Sequence, residues 1–345
     1  MPKADVTIMG AGIFGLSIAW CCQEQGATVQ VIDPAGPGAG ASGGVVGALA
    51  PHVPENWNEK KAFQFESLFM AETFWRKVQE TSGLSPGYAR LGRLQPVADQ
   101  RALELAWSRA ESSVELWQGK AVWEVIEPKS EGWMPSSPTG YVIRDTLSAR
   151  LHPRQACLAL VAAIQARGGT VVKQGTQQGK IVWATGVTGL EELTQARGRM
   201  VGNGVKGQAA VLQFSAPDMP QLFVDSLHII PHENGTVAVG STSERVYDTS
   251  TQTDEKLDEI ITRAALAVPV LHGARVVQRW AGLRPRTRSR APMLGAHPLR
   301  VGEYIANGGF KIGFGMAPKV GQVMARLILA GEDHIPPDFL PAASW

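Results

Sequence analysis

Residues 5–33 have the sequence DVTIMGAGIFGLSIAWCCQEQGATVQVID, and this stretch decides the fold. It predicts a buried strand, a G-x-G-x-x-G turn, a proline-free helix, and a second strand that ends on Asp33. The three glycines of such a turn permit the sharp bend, the approach of a pyrophosphate, and close packing of helix on strand. A purely structural glycine turn is the alternative. The complete order of strand, turn, helix, strand and acid favours a dinucleotide site.

The contacts expected at that site follow from the same order. Gly10, Gly12 and Gly15 would surround the pyrophosphate at a helix N-terminus, whose free N–H groups and positive dipole end attract anions. Asp33 lies 18 residues after Gly15, where a carboxylate can bind the ribose hydroxyls. No arginine directly follows Asp33, so the sequence offers no partner for a 2′-phosphate.

The composition is that of an ordinary globular protein of 345 residues, with 44% hydrophobic residues, 19% charged residues and a net charge of +2. Cys21, Cys22 and Cys157 show no metal-ligand spacing, and we expect buried thiols and no metal site. No run approaches the ~18 apolar residues of a membrane span. The apolar N-terminal segment is used by the nucleotide site and is not predicted to be a signal peptide. We therefore expect a cytoplasmic protein without a membrane span.

Two further glycine-rich stretches predict contacts with a flat ligand. Residues 36–52, GPGAGASGGVVGALAPH, continue into apolar residues, which a flexible linker would not do. Residues 308–315, GGFKIGFG, follow a predicted strand and precede a final helix that we expect to open at Ala317–Pro318. A second strand–helix unit is predicted over 152–186, and short alternating strands over 205–239 predict an antiparallel sheet.

Eight features in this order resemble the D-amino acid oxidase superfamily of flavoproteins, especially its glycine oxidase and monomeric sarcosine oxidase branches. They are GAGIFG, Asp33, GASGG with GALAPH, RLHP, WATG, the turn before VAVGST, GLRP and GGFKIGFGMAP. The resemblance implies an α/β fold: a Rossmann-type FAD-binding domain with a parallel sheet, and an inserted substrate domain built on an antiparallel sheet with helices. It assigns 1–55, 140–200 and 275–345 to the FAD-binding domain, and 56–139 and 201–274 to the substrate domain.

The same resemblance implies the residues that hold FAD. It places the pyrophosphate at the first turn and at Ala41 and Ser42, the ribose at Asp33, and the adenine at the backbone of Val172. The flavin is placed against residues 47–49 and the turn 309–315, and Thr185 and Gly186 are further cofactor contacts. The full predicted set is Gly10, Gly12, Ile13, Phe14, Gly15, Asp33, Ala41, Ser42, Gly47, Ala48, Leu49, Val172, Thr185, Gly186, Gly309, Phe310, Ile312, Gly313, Phe314 and Gly315.

Two residues are implied to bind the substrate. Arg284 of GLRP matches the arginine that binds the substrate carboxylate in the superfamily, and Lys311 of GGFK matches a basic position that helps it. An arginine fork gives two-point binding of a carboxylate, and a lysine adds a second charge. His52 is left open between a position near the flavin and a structural role.

The sequence departs from the superfamily pattern at two places. No cysteine lies beyond Cys157, so the cysteine that tethers flavin in sarcosine oxidases is absent and noncovalent FAD is expected. The segment 174–180 is shorter than usual before the ATG strand, which leaves the adenine end undefined.

The predicted activity is oxidation of the C–N bond of a small amino acid (glycine, an N-methylglycine or a D-amino acid) to an imine by hydride transfer to flavin. The enzyme would be an FAD-dependent amino acid oxidase or dehydrogenase that passes electrons to oxygen or to a redox partner. One alternative is a tRNA-modification oxidoreductase that removes a carboxymethyl group from a modified base, which the net charge of +2 disfavours. The other alternative is a non-catalytic binding module with a flavoprotein fold. The sequence leaves open which amino acid is used and whether the chain forms an oligomer.

Overall fold

A computed structural model describes residues 3–128 and 132–345. The strand–turn–helix unit at the start of the chain lies at the centre of a six-stranded sheet with the order β15-β16-β9-β1-β2-β8. All neighbours in this sheet are parallel except the pair β15 and β16. Its strands are β1 (Val6–Met9), β2 (Val29–Ile32), β8 (Thr170–Val172), β9 (Lys180–Trp183), β15 (Met293–Ala296) and β16 (Tyr304–Asn307).

The second sheet has eight strands in the order β14-β10-β13-β12-β11-β4-β6-β5, and all neighbours are antiparallel except β11 and β4. Its strands are β4 (Arg93–Pro96), β5 (Trp123–Ile126), β6 (Val142–Asp145), β10 (Gly202–Gln213), β11 (Gln221–Val224), β12 (Leu227–Pro231), β13 (Thr236–Gly240) and β14 (Val276–Thr287). A short antiparallel pair, β3 (Ala48–Leu49) and β7 (Ala149–Arg150), completes the strands of the described residues.

Helices pack against both sheets. They are α1 (Ile13–Glu24), α2 (Glu59–Ser82), α3 (Gln100–Leu116), α4 (Pro153–Ala166), α5 (Gly186–Arg197), α6 (Glu255–Ala267) and α7 (Gly313–Ala330). The first ten residues of α1 are all buried, because sheet, α4 and α7 enclose it. A Cβ on Gly321 of α7 would lie 2.7 Å from the carbonyl oxygen of Ser17, so glycine lets these two helices touch.

This architecture confirms the predicted α/β fold with a parallel Rossmann-type sheet and a second, largely antiparallel sheet. The division into an FAD-binding and a substrate domain stays a prediction. The larger sheet draws β6 and β14 from segments 140–200 and 275–345, which were assigned to the FAD-binding domain.

The last helix begins earlier than the sequence predicts. Its first residue is Gly313, so Pro318 lies inside α7 and not at its start. Proline at that position has no amide hydrogen to donate one turn back. Extensive packing of α7 on α1 and α2 compensates, and the following amide, of Lys319, donates to Ser67 Oγ on α2 at 3.2 Å.

Candidate active site

One cavity of about 970 Å³ brings together most of the stretches that the sequence marks as functional. Its wall is formed by the turn after β1, the residues after β2, the turn after β9, strand β14 and the turn before α7. A volume of this size is at the upper end of the range for ligand pockets. The cavity therefore has room for an extended ligand that reaches from one sheet to the other.

Two glycines of the first turn are required by close packing. Gly10 has a φ of +111°, and a Cβ there would lie 2.4 Å from the carbonyl oxygen of Ala184. A Cβ on Gly15 would lie 2.0 Å from the carbonyl oxygen of Gly10. Neither position has space for a side chain, so these glycines fix how closely α1 approaches β1 and β9.

The remaining glycine of the motif keeps the helix end accessible. A Cβ on Gly12 would have Ser42 Oγ as its nearest neighbour, at 3.3 Å. Gly12 and Ser42 both line the cavity. Ser42 Oγ accepts a hydrogen bond of 2.9 Å from the amide of Ile13, the first residue of α1. The first turn of α1 holds no acidic side chain. Its positive dipole end thus faces the cavity with no acidic side chain on the helix itself to neutralise it.

Asp33 lies at the end of β2 with its carboxylate held in place. Oδ2 accepts from the amide of Ala11 at 2.8 Å, and Oδ1 accepts from the amide of Ala35 at 3.0 Å. Each carboxylate oxygen has a second lone pair for a ligand hydroxyl. Within the described ranges, Asp33 is the only acidic residue that lines the cavity.

Sixteen of the predicted site residues line this cavity. They are Gly10, Gly12, Ile13, Phe14, Asp33, Ala41, Ser42, Ala48, Thr185, Gly186, Arg284, Gly309, Phe310, Lys311, Gly313 and Phe314. Six predicted residues lie outside its wall, namely Gly15, Gly47, Leu49, Val172, Ile312 and Gly315.

The reasons for the outlying positions are local. A Cβ on Gly47 would lie 1.7 Å from the carbonyl oxygen of Leu151, so this glycine serves the contact between two chain segments. Leu49 is fully buried in the main core. The carbonyl oxygen of Val172 accepts a hydrogen bond of 3.0 Å from the amide of Asp33, so this carbonyl continues the pairing of β8 with β2.

The part of the cavity wall formed by β14 and the turn before α7 is cationic and is here called the cationic end. Arg284 on β14 is 8% exposed, and burial lowers its pKa to about 10. Its guanidinium donates to Ser241 Oγ at 2.5 Å and to the carbonyl oxygen of Thr242 at 3.2 Å. Lys311 is accessible from the cavity, and desolvation followed by repulsion from Arg284 lowers its pKa. Over residues 3–128 and 132–345, neither side chain forms an ion pair.

Several residues of this end were missed by sequence reasoning. His228 on β12 lines the cavity with its ring 4.7 Å from that of Phe223, and burial, with the cations Arg93, Lys311 and Arg284, lowers its pKa to about 3. The indole of Trp280 forms another part of the wall and lies over Gly282, where a Cβ would be only 2.6 Å from the ring. Trp280 could have been found, since on a strand it shares the face of Arg284. His228 carried no sequence signal.

His52 has a structural environment. Its amide donates to Gln64 Oε1 at 2.7 Å, its Nδ1 contacts the same oxygen, and it is outside the cavity wall. Desolvation lowers its pKa. These contacts favour a structural role for His52 over a position near the flavin.

Comparison with known proteins identifies the family. The sequence matches the DAO family, described as FAD dependent oxidoreductase, over residues 5–327. The chain belongs to this family. It is similar to the bifunctional protein ThiO/ThiG of Trichormus variabilis, with 26% identity over 94% of this chain and 52% of that protein. It therefore spans about half the length of that relative.

Two further similarities cover nearly the full length of both chains. The glycine oxidase of Pseudomonas putida is 25% identical over 96% of both chains. A crystal structure of glycine oxidase from Bacillus cereus shares the fold, with a TM-score of 0.80 at 21% identity and 96% of each chain covered. Membership confirms the two predictions of FAD as cofactor and of an FAD-dependent oxidoreductase as enzyme class.

The cavity residues fit FAD. Open space lies where a Cβ would stand on Gly40 and Gly186, and with Gly12 these positions form a backbone-lined cradle along the wall. The unneutralised end of α1 suits the pyrophosphate, and Asp33 suits the adenosine ribose. None of the three cysteines lines the cavity, and all are buried.

The described residues hold no helix long and apolar enough to cross a membrane. Among the described residues, including the cavity wall, no cluster of three or more histidine, cysteine or acidic side chains could hold a metal ion.

We expect the bound FAD to be released by acid. Because no cysteine borders the cavity, precipitating the purified protein with trichloroacetic acid should leave the yellow flavin in the supernatant. The measurement is the flavin absorbance of supernatant and pellet. Flavin retained in a washed pellet would show a covalent link and contradict the prediction.

Replacing Asp33 with alanine should weaken FAD binding by ~1–3 kcal/mol, the scale for hydrogen bonds to a charged group. The affinity is measured by titrating FAD into apoprotein and following the loss of free flavin fluorescence. Asp5→Ala is a matched control, because Asp5 bonds Thr28 at the opposite end of the same strands. Equal affinities of wild type and Asp33→Ala would remove Asp33 from the predicted ribose site.

A buried histidine, His232, should make the free energy of unfolding fall at acid pH. The rings of His152 and His232 are 4.8 Å apart behind Val45, and burial lowers the pKa of His232 to about 4. Between pH 6.5 and 4 the unfolded chain therefore binds a proton that the folded chain does not. Each such group lowers the free energy of unfolding by about 1.4 kcal/mol per pH unit as the pH falls.

The test compares urea unfolding of wild type and His232→Gln, both saturated with FAD, from pH 7 to 4.5. In the variant, the free energy of unfolding should fall less steeply as the pH is lowered. The difference in slope should be about 1.4 kcal/mol per pH unit, the contribution of one proton. His272→Gln, at an exposed position, should keep the wild-type slope. An unchanged slope in His232→Gln would show that His232 is not held neutral by the fold.

Proposed function

We propose that this protein oxidises the C–N bond of a small amino acid, which is glycine, an N-methylglycine or a D-amino acid. The observation that carries the proposal is the cationic end of the cavity. Arg284 is almost fully buried, its contacts are to neutral oxygens, and Lys311 stands on the same wall. Burying a cation is costly, and the attraction of Glu244, which forms no direct ion pair with Arg284, only partly offsets the effect of burial on its pKa. A ligand carboxylate would supply a direct counterion.

The two cations have different tasks in this proposal. A guanidinium presents five N–H donors in a fixed plane, and the contacts with Ser241 and Thr242 hold that plane while leaving donors free. Arg284 would bind and orient the carboxylate, and Lys311 would add charge without direction. When bound, the flavin accepts a hydride from the substrate, so the protein must orient the donor carbon but need not supply a strong base.

The relatives support an amino acid as substrate. One similar protein, of which 96% is covered, is named glycine oxidase. Oxygen or a redox partner would complete the cycle as electron acceptor. A wall that contains cations and no acid beside them favours a carboxylate-bearing amine over a simple amine.

Arg284→Ala should reduce kcat/KM for the best amino acid by ~10²-fold or more, because about 3 kcal/mol of charge-assisted binding and alignment is lost. Arg284→Lys should already raise KM strongly, since a point charge cannot replace two-point binding. Lys311→Ala should cost less than Arg284→Ala. All three variants should keep FAD, because neither residue belongs to the predicted phosphate or ribose contacts.

The measurement is steady-state kinetics on that amino acid and on its decarboxylated amine, after an anaerobic screen for flavin bleaching has found the substrate. The amine should be poor with wild type and lose little more in the variants. Equal losses on both compounds would show that Arg284 does not bind the carboxylate. No bleaching by any amino acid would favour the non-catalytic alternative.

A further inference from the structure

The guanidinium of Arg284 rests on a loop that borders the cavity, here called the rim loop and defined as residues 241–254. Ser241 and Thr242 at its start provide the oxygens that Arg284 contacts. Ser250 and Thr251 further along line the same cavity. The position of the rim loop therefore sets both the orientation of Arg284 and part of the wall at the cationic end.

The start of the rim loop is paired with strand β10. The amide of Thr242 donates to the carbonyl oxygen of Gln208 at 3.2 Å, and the amide of Gln208 donates to Thr242 Oγ1 at 2.8 Å. Glu244 and Lys206 exchange backbone hydrogen bonds of 2.9 and 3.0 Å. These contacts continue the pairing with β10 as far as Glu244, four residues beyond the end of β13.

The side chain of Gln208 joins the two ends of the loop. Its Nε2 donates to Glu244 Oε1 at 3.0 Å and to Asp254 Oδ1 at 2.6 Å, and its Oε1 accepts from the amide of Asp254 at 2.9 Å. The residue is fully buried. Both amide hydrogens thus bind carboxylates from opposite ends of the rim loop, and the amide oxygen is also satisfied.

Two lysines balance these carboxylates. Lys206, 2% exposed, lies 3.4 Å from Asp254, and Lys256 lies 3.0 Å from Glu244. The hydrogen bond from Gln208 is the largest cause of the lowered pKa of Asp254. Burial works to raise the pKa of Glu244, but hydrogen bonds from Thr242, Gln208 and Lys256 together lower it. The cluster is neutral overall and holds both acids ionised.

We propose that Gln208 is a positioning residue for Arg284: by fixing Glu244 and Asp254 it holds Thr242 and Ser241 where they orient the guanidinium. Gln208 is not among the residues that line the cavity. This inference rests on the proposed binding of a carboxylate by Arg284. A neutral amide suits the role because it offers two donors to two acids, whereas leucine offers none and glutamate would add a third negative charge.

The experiment measures carboxylate binding in FAD-loaded protein without turnover. Acetate is titrated into wild type, Gln208→Leu, Arg284→Ala and the double variant, and the dissociation constant is read from the change in flavin absorbance. Gln208→Leu should bind acetate about 10-fold more weakly, because a displaced binding group loses alignment. In the Arg284→Ala background, Gln208→Leu should have no further effect, since the two changes then act through one residue.

Two controls keep the comparison specific. Gln213→Leu, an exposed position at the far end of the same strand, should bind acetate as wild type does. FAD content and the urea midpoint are recorded for every variant. Where Gln208→Leu fails to fold or to retain FAD, Gln208→Asn takes its place, because it keeps the amide but is one methylene shorter.

The outcomes separate the two proposals. Acetate affinity that is unchanged in Gln208→Leu, or losses that add fully in the double variant, would overturn the positioning role while the site at Arg284 stands. Acetate binding that is absent in wild type or unaffected by Arg284→Ala would overturn the carboxylate site, and the role of Gln208 with it.

Discussion

The close approach of α1 to strand β1 and to the turn after β9 is the constraint on which the rest of the structure depends. At Gly10 and Gly15 the backbone leaves 2.4 Å or less between a would-be Cβ and a carbonyl oxygen. Any side chain would push the helix away from the sheet, and the helix N-terminus would leave the cavity with it. Helix α7 then packs on α1 through Gly321, which places the turn carrying Lys311.

A charge asymmetry along the cavity follows from this arrangement. The parallel sheet contributes Asp33 and the helix end, and the antiparallel sheet contributes Arg284, with Lys311 nearby. Each sheet alone would carry half of a site. The only described acid of the wall therefore comes from the parallel sheet, and Arg284 comes from the other sheet. Under the proposed function, a long cofactor and a small anionic substrate would have separate places.

The sequence predicts the first unit well because its contacts are local. Strand, turn, helix and acid lie within 29 consecutive residues, and each glycine has a steric reason that can be stated in advance. Gly47 and Leu49 show the limit. They belong to a glycine-rich, apolar stretch that does border the cavity. Successive residues of an extended segment face opposite sides, and these two face Leu151 and the core. Composition does not reveal which side a residue faces.

The residues that hold Arg284 in position could not be predicted from the sequence, for a different reason. Gln208 meets Glu244 and Asp254 across 36 and 46 residues, and no spacing or motif marks polar residues that pair through sheet topology. Such a residue is buried, binds no ligand and resembles any core amide. If Gln208 orients the guanidinium, two family members with the same cavity wall can differ in carboxylate affinity through this position alone. Selectivity in this fold would then depend on strand β10 as well as on the residues that the substrate touches.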